Sequence, residues 1–110
     1  MNIGTDIVFI PRIEKILKKW GKRFLERVFT SEEITYCIKK QRPEVCFAGR
    51  FAAKEAIFKA LGRGNLAFKD IEIISEGPPF ITLNKGEKPS IKVSISHDGN
   101  YAVATAIVEN

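Results

Sequence analysis

The stretch that most constrains this chain runs from about Glu44 to Leu61, where apolar or small residues occupy most sides of a helical wheel. On a 3.6-residue period Ala48, Ala52, Glu55 and Lys59 share one narrow face. Phe47, Phe51 and Phe58 share a neighbouring face, and Gly49, Ala53, Ala56 and Ala60 make up most of another. A helix so short of wet sides is predicted to be the central helix of a small core. Two charges on its small-residue face are then poorly explained as ordinary solvated groups, and their small neighbours leave room for something that Glu55 and Lys59 both hold. The alternative is an i,i+4 Glu–Lys pair on a helix surface, worth only about 0.3–0.5 kcal/mol. Spacing alone leaves both readings open.

The remainder of the chain is arranged around that helix. Residues 2–10 alternate and are rich in Ile, Val and Phe, which predicts a strand. Pro11 suits a first helical turn. Ile13, Ile16, Leu17 and Trp20 then cluster on one side, with Arg12, Lys15, Lys18 and Lys19 on the other. Gly21 interrupts this helix, and a second short one carries Phe24, Leu25 and Val28. Thr30-Ser31-Glu32-Glu33 matches a capping box and opens a helix to about Lys40, stopping before Pro43. Gly62 is placed to end the long helix.

After Gly62 the period becomes alternating, with strands predicted at 70–75, 79–84, 90–97 and 101–108. Asn84-Lys85-Gly86 and Asp98-Gly99-Asn100 carry hairpin-turn chemistry. In the last strand Tyr101, Val103, Thr105 and Ile107 point one way, and Ala102, Ala104, Ala106 and Val108 the other. The alanine face suits close packing of a helix. The expected architecture is α+β in one domain over residues 1–110: an N-terminal strand and helices around one long central helix, packed on a mainly antiparallel sheet.

An apolar content of 45% with 28% charged residues indicates a globular chain, and 110 residues bury only a modest core. The net charge of +5 favours an anionic partner: a phosphate-bearing ligand, a nucleic acid or an acidic protein. Cys37 and Cys46 match neither a zinc ligand set nor a disulfide framework, and read as two buried thiols in a reducing compartment. Asp6 and Arg12 interrupt the early apolar run, so no signal peptide is expected. No stretch reaches the roughly 20 apolar residues of a membrane span. The expected location is cytoplasmic, without membrane association.

Several polar residues need a reason for their positions. Asp6, between Ile3 and Val8-Phe9-Ile10, sits in a strand where burial is costly without a partner. It reads either as a helix cap or arginine partner, or with Glu55 as a hard oxygen ligand for Mg²⁺; Lys59 would then meet phosphate charge. His97, the sole histidine, closes Val93-Ser94-Ile95-Ser96 and is either a satisfied edge residue or a functional one. A Ser–His nucleophile built from Ser94 or Ser96 is disfavoured, because no orienting acid, oxyanion site or G-x-S-x-G elbow accompanies it. Gly62-Arg63-Gly64 reads as a helix stop or a short oxyanion cradle, and lacks a P-loop ending. Six basic residues against one acidic residue between Arg12 and Arg23 read as a solvated face or as a dock for an acidic surface.

Taken together, three segments resemble the holo-acyl-carrier-protein synthases, the small type of 4′-phosphopantetheinyl transferase. They are Gly4-Thr5-Asp6-Ile7 with Arg12-Ile13, Arg50-Phe51-Ala52-Ala53-Lys54-Glu55-Ala56 with Lys59-Ala60-Leu61, and Val93-Ser94-Ile95-Ser96-His97 with Tyr101-Ala102. Phe29-Thr30-Ser31-Glu32-Glu33 falls between the first two, so the likeness spans nearly the whole chain. The helix segment is the specific one. The resemblance implies Mg²⁺-dependent transfer of 4′-phosphopantetheine from coenzyme A to a serine of an acidic apo acyl carrier protein, with release of 3′,5′-ADP, as a step of fatty acid biosynthesis. It implies a homotrimer with sites between protomers. It makes Asp6 and Glu55 metal ligands and Lys59 a pyrophosphate contact. It makes Arg50 and His97 phosphate contacts, and Arg12, Lys15 and Lys19 part of the carrier dock. Arg42, with Lys40, corresponds to the 3′-phosphate segment, which Pro43 interrupts; Gly62 and Gly64 lie in the loop Gly62-Arg63-Gly64-Asn65-Leu66, which is shorter than the family's usual one and would supply pyrophosphate contacts.

Two other classes compete. A nucleic-acid-binding domain would use the positive charge with Phe and Trp for stacking, but the aromatics fall at core spacing and Asp6 and Glu55 go unexplained. A structural oligomerisation module would explain the alanine faces and leave the same carboxylates without a role. No nucleic-acid partner is therefore expected.

Overall fold

A computed structural model describes residues 1–62, 66–73 and 90–109. Among them the order is β1 (Asn2–Phe9), α1 (Ile10–Trp20), α2 (Lys22–Val28), α3 (Ser31–Ile38), α4 (Pro43–Leu61), a 3-10 turn (Phe68–Asp70), β2 (Ser90–Asp98) and β3 (Tyr101–Glu109). The strands form an antiparallel sheet in the order β1-β3-β2. The fold is α+β, with α4 laid across one face of the sheet and α1 and α3 packed on α4.

Local chemistry sets these boundaries. Pro11 lies in the first turn of α1, and Gly21 ends it at φ 46 with its N–H donated to the Leu17 carbonyl. Thr30 and Glu33 complete the capping box in both directions: the Thr30 hydroxyl accepts the Glu33 N–H, and the Glu33 carboxylate accepts the Thr30 N–H. Gly62 stops α4 in the left-handed region at φ 76. The β2–β3 hairpin turns on Gly99 and Asn100, with Gly99 at φ 56.

The alternation read in the last strand is the organising feature of the sheet. Ala102, Ala104 and Ala106 are buried beneath α4, opposite Val8, Asp6 and Gly4 of β1. The other face carries Ile3 at 64% exposed, Ile7 at 62% and Tyr101 at 49%, with Val103 beside them. Nothing among the described residues covers it.

Three expectations need correction. Residues 70–73 are not strand: Asp70 closes the 3-10 turn, where its carboxylate accepts the Ala67 N–H, and Ile71 makes a single bridge. A local side chain there competes with the sheet for the backbone. Cys37 and Cys46 are not free thiols but a disulfide joining the end of α3 to the start of α4, with Cα atoms 5.4 Å apart. Trp20 does not join Ile13 inside; it is 50% exposed, because the break at Gly21 leaves the last turn of α1 uncovered. The strand expected at 79–84 and the turn at 84–86 lie outside the described residues.

Candidate functional site

The site starts from a glycine. A Cβ on Gly4 would strike the carbonyl oxygen of Ala56 and come within 2.8 Å of the Ala60 nitrogen, so β1 rests directly on the backbone of α4. No other residue permits that approach. Asp6, two residues on, points to the same face and comes under the turn of α4 that carries Lys59. The Lys59 ammonium donates to the Asp6 carboxylate at 3.1 Å and to the Thr5 carbonyl at 2.9 Å. The side chain of Lys59 remains 54% exposed and that of Asp6 18% exposed.

Glu55 lies one helical turn, about 5.4 Å, before Lys59 on the same face. It is half-buried, and among the described residues it has no hydrogen-bond or ion-pair partner. Lys59 thus reaches across to β1 instead of back to Glu55, and the simple surface i,i+4 pair is not what forms. The result is two carboxylates, one paired and one open, on either side of an exchangeable ammonium. Hard oxygens in that number suit a divalent cation that completes its shell with water and phosphate oxygens. No group of three or more His, Cys, Asp and Glu side chains assembles among the described residues. Gly62 lies just beyond, at the C-terminal end of α4; Arg63 and Gly64 lie outside the described residues.

The other candidate residues gather elsewhere. Arg42 precedes α4 and pairs with Glu44 at 3.1 Å, about 20 Å along the helix from Glu55. His97 is exposed on β2, the outer strand opposite β1. Its register partner Ala102 faces Val8, so two strand spacings, about 9.5 Å, separate His97 from Val8, and Asp6 lies two residues farther along β1. Arg50 is 8% exposed, with its Nε donating to the Ile73 carbonyl and its Nη1 to Cys46 Sγ, both at 3.2 Å. Its guanidinium lies over the Tyr36 ring at 4.3 Å, and the Lys40 ammonium is 4.4 Å from the same ring. The candidate residues therefore fall in two groups: Asp6, Glu55, Lys59 and Gly62 toward one end of α4, and Arg42 and Arg50 toward the other.

Sequence reasoning missed what anchors the helix beside the first group. Lys54, next to Glu55, is fully buried and donates to the Glu33 carboxylate at 2.6 Å, the Val28 carbonyl at 2.8 Å and the Phe68 carbonyl at 3.0 Å. Glu33 also accepts the Ile73 N–H at 2.9 Å. One ion pair so binds α4 to the end of α2, to α3 and to the segment 66–73. Burial pushes the Lys54 ammonium below the usual lysine value, against the pull of Glu33. The capping box was a legible signal for Glu33, but nothing local reveals its second task.

Arg12, Lys15 and Lys19 are exposed on one side of α1. Beside them Ile16, Trp20, Arg23, Phe24, Glu26 and Arg27 line an open groove of about 720 Å³. The floor is apolar and its rim is mainly basic, with Glu26 the one acidic residue among these lining residues. No helix among the described residues is long and apolar enough to cross a membrane.

Comparison with known proteins gives one answer. Residues 2–106 match the family model of the 4′-phosphopantetheinyl transferase superfamily. The chain is 47% identical to the holo-[acyl-carrier-protein] synthase of Chlorobium luteolum over 94% of both chains. It is 42% identical to that of Protochlamydia amoebophila over 97% of this chain and 96% of the relative. The fold superposes on the Helicobacter pylori holo-[acyl-carrier-protein] synthase solved in complex with coenzyme A, with a TM-score of 0.83 and 41% identity, covering 97% of this chain and 99% of that one.

Proposed function

This chain belongs to the 4′-phosphopantetheinyl transferase superfamily, as an enzyme of the holo-[acyl-carrier-protein] synthase type, and we propose that it moves 4′-phosphopantetheine from coenzyme A to a carrier serine with Mg²⁺, releasing 3′,5′-ADP. The observation that carries the reading is the junction of β1 and α4, where Lys59 bridges to Asp6 one turn from an open Glu55. All three belong to the segments that carry the family likeness.

The chemistry follows from that geometry. The carrier serine oxygen attacks the phosphorus attached to pantetheine, the bridging P–O bond breaks, and 3′,5′-ADP departs. Charge builds on the bridging and nonbridging oxygens. Lys59 is exposed, so its ammonium can exchange the Thr5 carbonyl and Asp6 for a phosphate oxygen. Asp6 and Glu55 are the residues that would hold Mg²⁺, which supplies charge neutralisation at the pyrophosphate when bound. Two groups can take the serine proton: the Glu55 carboxylate, or a water held by Asp6. The nucleophile arrives with the partner, which is why Ser94 and Ser96 need no triad. Arg12, Lys15 and Lys19 beside the apolar groove suit an acidic carrier with an apolar contact at its centre.

Arg42, Arg50 and His97 are assigned to the phosphates of the nucleotide. Their distance from Asp6 supports a site completed between protomers, and the uncovered sheet face with Ile3, Ile7 and Val103 supports a homotrimer. Location in the cytoplasm and a role in fatty acid biosynthesis complete the proposal. The direct test incubates the protein with coenzyme A, Mg²⁺ and apo carrier protein, and expects the carrier to gain about 340 Da, the mass of the transferred group. An unchanged mass across several carriers refutes the activity, and a monomer by light scattering refutes the trimer.

A further inference from the structure

We infer that the Cys37–Cys46 pair is a redox latch that sets how tightly this enzyme holds the 3′-phosphate of its nucleotide. The inference rests on the reading that Arg42 meets that phosphate and Arg50 meets the phosphates of the nucleotide, and extends Arg50 to the 3′-phosphate. The disulfide closes the hairpin between α3 and α4, a separation of nine residues that contains Lys40 and Arg42. One of its sulfurs, Cys46 Sγ, accepts a hydrogen bond from Arg50 Nη1. Both arginines assigned to the nucleotide are thus tied to one bond: Arg42 lies within the loop that it closes, and Arg50 touches its sulfur.

The two cysteines are unequal. Cys37 is fully buried, while Cys46 is half-buried and its sulfur touches the Arg50 guanidinium. Oxidation by a low-molecular-weight disulfide begins with the Cys46 thiolate attacking one sulfur of the oxidant and expelling a thiolate. The Cys37 thiol then attacks Cys46 Sγ and expels the second small-molecule sulfur, which leaves as a thiol carrying the Cys37 proton. Two protein thiols become one disulfide, and one small disulfide becomes two thiols. In the reduced form the Cys46 sulfur is no longer held against Arg50 by its bond to Cys37, and the loop bearing Arg42 loses its cross-link. In a reducing compartment such a disulfide is a transient, sensing bond.

The test uses 3′,5′-ADP, which has no thiol to disturb the latch, and 5′-ADP, which lacks the 3′-phosphate. Binding of each to full-length protein with Mg²⁺ is measured by calorimetry after treatment with dithiothreitol or with oxidised glutathione, with alkylation and mass spectrometry counting free thiols. The oxidised protein should bind 3′,5′-ADP about fivefold more tightly, within the usual range of coupling between sites. 5′-ADP should bind equally in both states, and Cys37→Ser and Cys46→Ser should each abolish the redox response. Equal 3′,5′-ADP affinity in two states that alkylation proves distinct overturns the latch and leaves the transfer activity standing. Two free thiols after oxidation, or a response that survives Cys37→Ser, also overturns it. No binding of 3′,5′-ADP in either state defeats the nucleotide reading itself, and the latch falls with it.

Discussion

Two lysine–carboxylate pairs lie five residues apart on one helix and do opposite jobs. Lys54 and Glu33 meet at 2.6 Å with both side chains at 0% exposure; Lys59 and Asp6 meet at 3.1 Å with 54% and 18% exposed. An ammonium has three N–H donors. All three of Lys54 are matched by protein acceptors on three separate segments, whereas Lys59 has two acceptors and solvent around the remainder. Saturation and burial make the first pair a pin. Accessibility makes the second a contact that ligand can replace. Like residue types on one helix thus differ in their access to water, and on the proposed function that difference assigns one pair to the fold and the other to chemistry.

The comparison breaks most severely at the pin. Lys54→Met should lower stability by about 3–5 kcal/mol, since it leaves the Glu33 charge buried without its cation. Chemical denaturation measures this. Glu33→Gln added to Lys54→Met should recover part of the loss, because the stranded charge goes while the amide oxygen still accepts one of the two backbone N–H groups, of Thr30 and Ile73, that the carboxylate held. A loss below about 1 kcal/mol would place Lys54 with the surface pairs and erase the distinction.

At the open pair the effects should fall on turnover and not on the fold. Glu55→Gln keeps size and removes the charge, and kcat for carrier modification should drop about 10²–10³-fold, the scale of losing one electrostatic group at a reacting centre. Its melting temperature should stay close to that of the parent, because no partner among the described residues is lost. Wild-type rates in both limiting and saturating Mg²⁺ would end the ligand assignment for Glu55.

Much of this contrast was legible in the sequence, and its gaps have physical causes. The alternation of β3, the Gly21 and Gly62 stops and the Thr30–Glu33 capping box are local patterns, and all of them form. The spacing of Glu55 and Lys59 put both on one face of α4, from which Lys59 reaches β1. What local pattern cannot hold is a partner distant in sequence: Lys54 finds Glu33 across 21 residues, and Glu33 finds Ile73 across 40. The disulfide escaped for the same reason, because pairing depends on a Cα separation that only the α3–α4 hairpin creates. Gly4 belonged to a recognised segment, yet its purpose appears only where Ala56 and Ala60 press on it. Residues 70–73 were misread because Asp70 spends its carboxylate on a tight turn.

The finest expected difference between the two pairs is a dependence on pH. Burial is the dominant influence on Lys54 and pushes its ammonium below 10.5; Glu33 and Glu72 pull it up, and Arg50 adds to the lowering. A depressed lysine means that between its folded value and 10.5 the unfolded chain binds more protons than the folded one, so stability from this group rises with pH across that window. The cost of burying the charge is full below the folded value and relieved as the proton leaves. The stability of the parent minus that of Lys54→Met, taken from denaturant curves at successive pH values, should climb toward pH 10.5 and level off above it. A difference that falls over the same range would mean that the attraction of Glu33 outweighs desolvation, and the pin would then draw its strength from charge instead of from its three satisfied hydrogen bonds.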